Sequence, residues 1–159
     1  MTKTILFGGS GFLGPTILVK DPEIISVGRT SPPKELKNKH IELKNLEELY
    51  KLDDIDFDKV IFLIGSSNHH EINKKITMGI DYNVTPLNTA LSYFENRNLK
   101  KFICFTTVLL YDQKKMILPV NETQEINLER SYIIAKLLEN LDISEAILYA
   151  NYYIYSKYH

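Results

Sequence analysis

The chain has 159 residues, enough for one domain with a real hydrophobic core and too few for several. Its 44% hydrophobic and 25% charged residues exclude a disordered or fibrous protein, and the net charge of −1 lacks the basic excess of a nucleic-acid binder. A single cysteine, Cys104, excludes an internal disulfide framework and any multi-cysteine zinc site. No apolar run approaches the roughly 20 residues of a membrane span. The start Met1-Thr2-Lys3-Thr4-Ile5-Leu6-Phe7 lacks the long apolar segment of a signal peptide. The expectation is a cytoplasmic protein that engages neither nucleic acid nor membrane.

In chain order, Thr4 to Phe7 is a short apolar run closed by Gly8-Gly9 and reads as a buried strand. A helix follows from Phe12 to Lys20, with Pro15 tolerated in its first turn. Ile24 to Val27 is a second strand, closed by Gly28. Pro32-Pro33 and the lysines at 34, 37 and 39 form a solvated loop before a weaker strand, Ile41 to Leu43. Asn45 to Leu52 is helical, with Leu46, Leu49 and Leu52 three apart. Val60 to Ile64 is the strongest strand and ends at Gly65; His69-His70 then falls on a loop facing the cleft, not on a metal site.

The long helix runs from about Asp81 to Asn96, its apolar stripe made of Val84, Leu87, Leu91 and Phe94. Phe102 to Phe105 is the fifth strand, with Cys104 an inert core thiol, and Thr106-Thr107 closes it. Ser131 to Leu141 is the last helix and Ala146 to Tyr149 a sixth strand; the tyrosine-rich tail after it reads as the end of that strand, lacking the partner it should pack against. Short apolar runs alternating with amphipathic stretches predict the α/β class. The fold expected over residues 1–159 is a Rossmann-like doubly wound parallel sheet of about six strands, a single domain in three αβα layers.

The glycines at 8, 11 and 14 sit directly after the first strand and open the first helix. A dinucleotide site needs that arrangement: a tight turn, then close approach of backbone to pyrophosphate, then close helix–strand packing. The helix start adds unpaired N–H groups for the phosphates. The plainer alternative is a turn that merely allows a sharp reversal.

An acidic side chain about 20 residues on would hold a ribose 2′-OH and favour NAD. Gly28-Arg29-Thr30 stands there instead. Without a carboxylate to repel it, a 2′-phosphate can take a bidentate guanidinium from Arg29. NADP is therefore favoured, with NAD possible; the alternative is a solvated Arg29 that stacks on adenine.

Tyr132 and Lys136 are four residues apart, one turn along the same helix face. A phenol titrates near 10, and a neighbouring ammonium stabilises its phenolate. In isolation the pair reads as a surface tyrosine on an amphipathic helix, so its neighbours decide.

With these motifs in this order, the sequence resembles the extended short-chain dehydrogenase/reductases, specifically the NAD(P)-dependent epimerase/dehydratase group acting on nucleotide sugars. The resemblance runs from Ile5 to about Tyr153. It rests on Gly8 to Gly14, Ile64-Gly65-Ser66, Asn83-Val84, Phe105 to Tyr111, Pro119 to Glu122, and Tyr132 to Lys136.

The resemblance implies a catalytic set of Thr107, Tyr132 and Lys136. Tyr132 would act as general acid/base on a sugar hydroxyl or carbonyl, Lys136 would hold the nicotinamide ribose, and Thr107 would hydrogen-bond the reacting oxygen. It implies cofactor contacts from Gly8, Gly11, Phe12, Leu13 and Gly14, from Arg29, Asn45 and Leu46, and from Ile64, Gly65, Ser66, Asn83 and Lys136, with no metal. Asn45 stands where an aspartate usually meets the adenine amino group, and Asp112 replaces the glycine that commonly follows Tyr111. Family members continue into a smaller domain that grips the nucleotide sugar, which the chain is expected to lack. Two functions follow: an epimerase, dehydratase or reductase transferring hydride, or a catalytically idle NAD(P)-binding module serving as a sensor or subunit. A homodimer through the long helices, or a partner chain supplying substrate contacts, would complete the site.

Overall fold

The computed structural model describes residues 3–105, 111–112, 114–115, 117–119 and 124. Five strands form one sheet: β1 (Thr4–Phe7), β2 (Ile25–Gly28), β3 (His40–Glu42), β4 (Lys59–Phe62) and β5 (Lys101–Cys104). Their order is β3-β2-β1-β4-β5, and every pair is parallel. The sixth predicted strand and the helix Ser131 to Leu141 lie outside the described residues.

Strand side chains alternate faces, and β1 shows what each face meets. Ile5 and Phe7 enter the larger core with Val27, Val60, Phe62 and Cys104 from the other strands. Helix α4 (Thr85–Phe94) closes that core with Leu87, Ala90 and Phe94. Leu6 points the other way, to Leu18 of helix α1 (Gly14–Leu18) and Ile24. Two apolar layers on opposite faces of one parallel sheet are the three-layer architecture the alternation predicts. Phe94 joins the larger layer together, edge-on to Phe7 at 6.0 Å and to Phe57 at 5.9 Å.

Several elements differ from their predicted form. Helix α1 starts at Gly14, not Phe12, because the Gly11 N–H donates to Gly8 O and keeps residues 8–11 in a turn. The segment Leu46–Leu52 is a 3-10 helix. The leucines at 46, 49 and 52 already carry its period of three, and Leu49 and Leu52 are buried. His69-His70 is not on a loop: it opens helix α2 (His69–Lys74), whose cap is Asn68, accepting from Glu71 N at 3.3 Å. Helix α3 (Ile76–Gly79) follows, then a π-helical stretch, Ile80–Val84, that leads into α4. The long helix is thus π-helical in its first turn, and Pro86 sits where α4 begins and needs no N–H partner.

Candidate dinucleotide cleft

The carboxyl ends of β1 to β4 open onto a cleft of about 560 Å³, within the range of small-molecule sites. It lies where the chain reverses direction across the sheet, with β2 on one side of β1 and β4 on the other. Loops diverge at such a switch point and leave a crevice. Backbone hydrogen bonds hold the strand ends level beneath it: Gly8 N to Val27 O, Leu63 N to Phe7 O and Leu43 N to Gly28 O, each 3.1 Å.

The floor of the cleft is the glycine turn. Gly8 has φ +84°, a left-handed conformation that strains any side chain. Gly14 is buried, and a Cβ placed on it would stand 2.4 Å from Gly9 O and 2.6 Å from Gly8 O. No side chain fits there without moving backbone. The turn and the start of α1 are therefore packed backbone to backbone, which leaves Gly8 and Gly11, with no side chains, lining the cleft beside Ser10. That is the surface a pyrophosphate needs, since peptide N–H groups can reach its oxygens only where side chains are absent.

At the end of β2, Arg29 and Thr30 are exposed and line the cleft, as do Lys44 and Asn45 from the end of β3. Asp81 is the one carboxylate among the described lining residues. Glu48, close to Lys44 in sequence, is already engaged: its Oε2 accepts from Lys51 Nζ at 2.7 Å and from Lys44 N at 2.8 Å. The Lys51 hydrogen bond, first among its neighbours, holds this carboxyl below its ordinary pKa. Arg29 and Lys44 thus bring two cationic residues to this end of the cleft. Asn45 caps the 3-10 helix, its Oδ1 accepting from Glu47 N at 3.0 Å.

The far wall is Leu63, Ile64, Gly65 and Ser66, facing Asp81, Tyr82 and Pro86. Asn83 fixes this wall from behind. It is fully buried, and its Oδ1 accepts from Ser66 N at 2.8 Å. Its Nδ2 is buried too and has no partner among the described residues.

A model of the NAD dependent epimerase/dehydratase family matches residues 4–146. The chain belongs to that family. No curated protein matches the sequence. Among solved structures, a UDP-Glc/GlcNAc 4-epimerase from Campylobacter jejuni is similar at 19% identity and TM-score 0.73, over 89% of this chain and 47% of its own. A UDP-glucose 4-epimerase from Brucella ovis in complex with NAD is similar at 16% identity and TM-score 0.74, over 89% and 46%. An L-threonine dehydrogenase from Clostridium difficile is similar at 15% identity and TM-score 0.74, over 89% and 48%. At these identities the likeness is one of fold. The chain spans about half the length of the solved structures it matches.

Of the cofactor residues that membership of the epimerase/dehydratase family implies, the structure brings Gly8, Gly11, Arg29, Asn45, Leu46, Ile64, Gly65 and Ser66 to the cleft lining. Phe12, Leu13 and Gly14 stand outside that lining; Phe12 is exposed and Gly14 serves by packing. Asn83 also stands outside the lining and accepts the Ser66 amide behind it. Thr107, Tyr132 and Lys136 lie outside the described residues. Beside the strand-end residues Phe7, Gly28, Leu43 and Leu63, the lining holds Ser10, Thr30, Lys44, Asp81, Tyr82 and Pro86, which were not among the expected contacts. The signal for Lys44 was its place beside Asn45 at a strand end. Nothing in the apolar stripe of the long helix marks Asp81 and Tyr82, because the stripe locates the buried face alone.

Proposed function

We propose that this chain binds an NAD(P) dinucleotide in the cleft and serves an epimerase, dehydratase or reductase reaction on a nucleotide sugar. The observation that carries the reading is the turn itself. Backbone packs on backbone between Gly14 and Gly9, below a cleft lined by Gly8, Ser10 and Gly11. A dinucleotide fits this cradle, its pyrophosphate over the turn and its adenine towards Arg29 and Asn45. The Asn45 oxygen that caps the 3-10 helix keeps a second lone pair for the adenine amino group. Arg29, with no acidic residue beside it in Gly28-Arg29-Thr30, favours a 2′-phosphate and hence NADP over NAD.

The hydride chemistry is supplied by the nicotinamide. The residues of this chain handle the proton and the alignment. Tyr132 exchanges a proton with the reacting sugar oxygen. The Lys136 ammonium favours the phenolate and orients the nicotinamide ribose. Thr107 would hydrogen-bond the reacting oxygen and so hold the sugar in place. Ser66, held by Asn83, shapes the wall on the nicotinamide side.

The reading is tested by turnover of a nucleotide-sugar panel with added NADP and NAD, for the parent and for Tyr132→Phe. Turnover in the parent, lost in Tyr132→Phe while dinucleotide binding persists, is the expected result. Tight dinucleotide binding without turnover of any sugar in the parent assigns the chain instead to an idle binding module.

A further inference from the structure

Under the glycine turn, on the face of the sheet that packs α1, lies a polar pair with no part in the chemistry above. Ser26 is fully buried in β2, in register with Leu6 of β1 and His40 of β3. Its Oγ is 3.1 Å from His40 Nδ1. On its other side the same oxygen faces Gly9. A Cβ on Gly9 would stand 2.3 Å from Ser26 Oγ and 3.1 Å from Leu18 Cδ1. The rest of this layer is apolar, built from Leu6, Leu18 and Ile24.

A buried hydroxyl among apolar side chains costs free energy unless it is hydrogen-bonded. His40 supplies that bond, yet its own Nε2 is buried with no partner among the described residues. Alanine at 26 with an apolar residue at 40 would fill the layer without either cost. The polar pair does place a fixed oxygen directly against Gly9, and Gly9 O is in turn the atom against which Gly14 packs to start α1. Contact therefore runs unbroken from His40 through Ser26 and Gly9 to Gly14.

We propose that Ser26 and His40 are positioning residues of the glycine turn: His40 fixes the Ser26 hydroxyl, and the hydroxyl holds Gly9 where the turn can receive a pyrophosphate. The inference rests on the cleft being a dinucleotide site. Its mechanical part can be tested without a ligand.

The test uses the full chain with three readouts: amide exchange of the segment 8–14 without ligand, titration with NADPH and NADH by dihydronicotinamide fluorescence, and thermal melting. Ser26→Ala and His40→Leu are each expected to speed exchange of that segment and to weaken both dinucleotides alike by about fivefold to tenfold, the loss of one ordinary hydrogen bond. His40→Asn, which keeps a polar atom near the Nδ1 position, is expected to recover most of the affinity. Gly9→Ala should lose binding, and Ser26→Ala added to it should restore part, because the atom that meets the new methyl is gone. A purely structural role would lower the melting midpoint and leave exchange of the turn unchanged relative to β2.

Unchanged exchange of the turn in both Ser26→Ala and His40→Leu overturns the proposal. So does a Gly9→Ala defect that Ser26→Ala fails to relieve. Exchange that responds as expected in a parent that binds neither dinucleotide supports the positioning role and overturns the cofactor reading.

Discussion

Asn83 accepts the Ser66 amide at 2.8 Å, and this bond ties the π-helical start of the long helix to the loop that ends β4. A π-helical turn inside a helix commonly marks a functional position, because the wider turn re-aims a side chain. Here Asn83, within the π-helical stretch, is fully buried and supports the cleft wall without lining it. Asn83→Leu keeps the volume and removes the acceptor, which leaves the Ser66 N–H to be desolvated unpaired. Such a group costs about 1–3 kcal/mol. Urea unfolding should show a loss of that order, and dinucleotide affinity should fall as the wall loosens. An unchanged midpoint would show that water or another group takes the bond.

Gly14 gives a sharper test of the turn. Gly14→Ala pushes a methyl to within 2.4 Å of Gly9 O, a backbone atom that cannot swing aside. The turn must open, so binding of NADPH and NADH should both be lost even where the protein stays folded. Circular dichroism separates these outcomes from global unfolding. Retained affinity in a folded Gly14→Ala variant would place the dinucleotide elsewhere.

The far end of α4 predicts a pH dependence. Tyr93 donates to Asp53 at 2.6 Å, and Arg97 donates to both at 2.7 Å while its guanidinium lies over the Tyr93 and Phe57 rings. The Tyr93 phenol is pushed up to about 12, by burial first and then by the bond to Asp53. A folded-state pKa above the unfolded value of about 10 means that its contribution to stability is complete below about pH 10 and lost as pH rises towards 12. Asp53 moves the opposite way: the Tyr93 hydrogen bond first, and then Arg97, hold its carboxyl below its ordinary value. Its contribution is present above the ordinary carboxylate range and lost as pH falls through the lowered value. Tyr93→Phe should therefore flatten both arms of the stability profile from urea midpoints. The chain has 10 tyrosines, so the difference from the parent is the informative quantity. An alkaline arm that keeps its full slope in Tyr93→Phe would contradict this account.

Most of the sheet was legible from local signals: β1, β2, β4 and β5 each hold a short apolar run. Burial on both faces of β1 and β2 explains why those two runs do not alternate, whereas β3, His40–Glu42, has one apolar residue and gives the weakest signal. The glycine turn was legible because its three glycines fall at a strand-to-helix junction. The segment from Asn68 to Val84 was not. Its helices are short and broken at Lys75, and π-helical bonding has no signature in a 3.6-residue period. Lys44 escaped for a different reason: a lysine after a strand reads as solvated until the sheet brings it to the same cleft as Arg29. Ser26 and His40 escaped because their pairing depends on the β2–β3 register, which neither side chain announces.

The central claim is that the cleft holds a dinucleotide and that its rim reads a 2′-phosphate. It is tested most directly by titrating the parent and Arg29→Ala with NADPH and NADH at equal ionic strength. The parent should bind both and NADPH more tightly, and Arg29→Ala should bring the two affinities together, mainly by weakening NADPH. A charge-assisted hydrogen bond of about 1.5–3 kcal/mol corresponds to a gap of about tenfold to a hundredfold. A parent that binds neither dinucleotide, or binds both equally with no response to Arg29→Ala, would contradict the account.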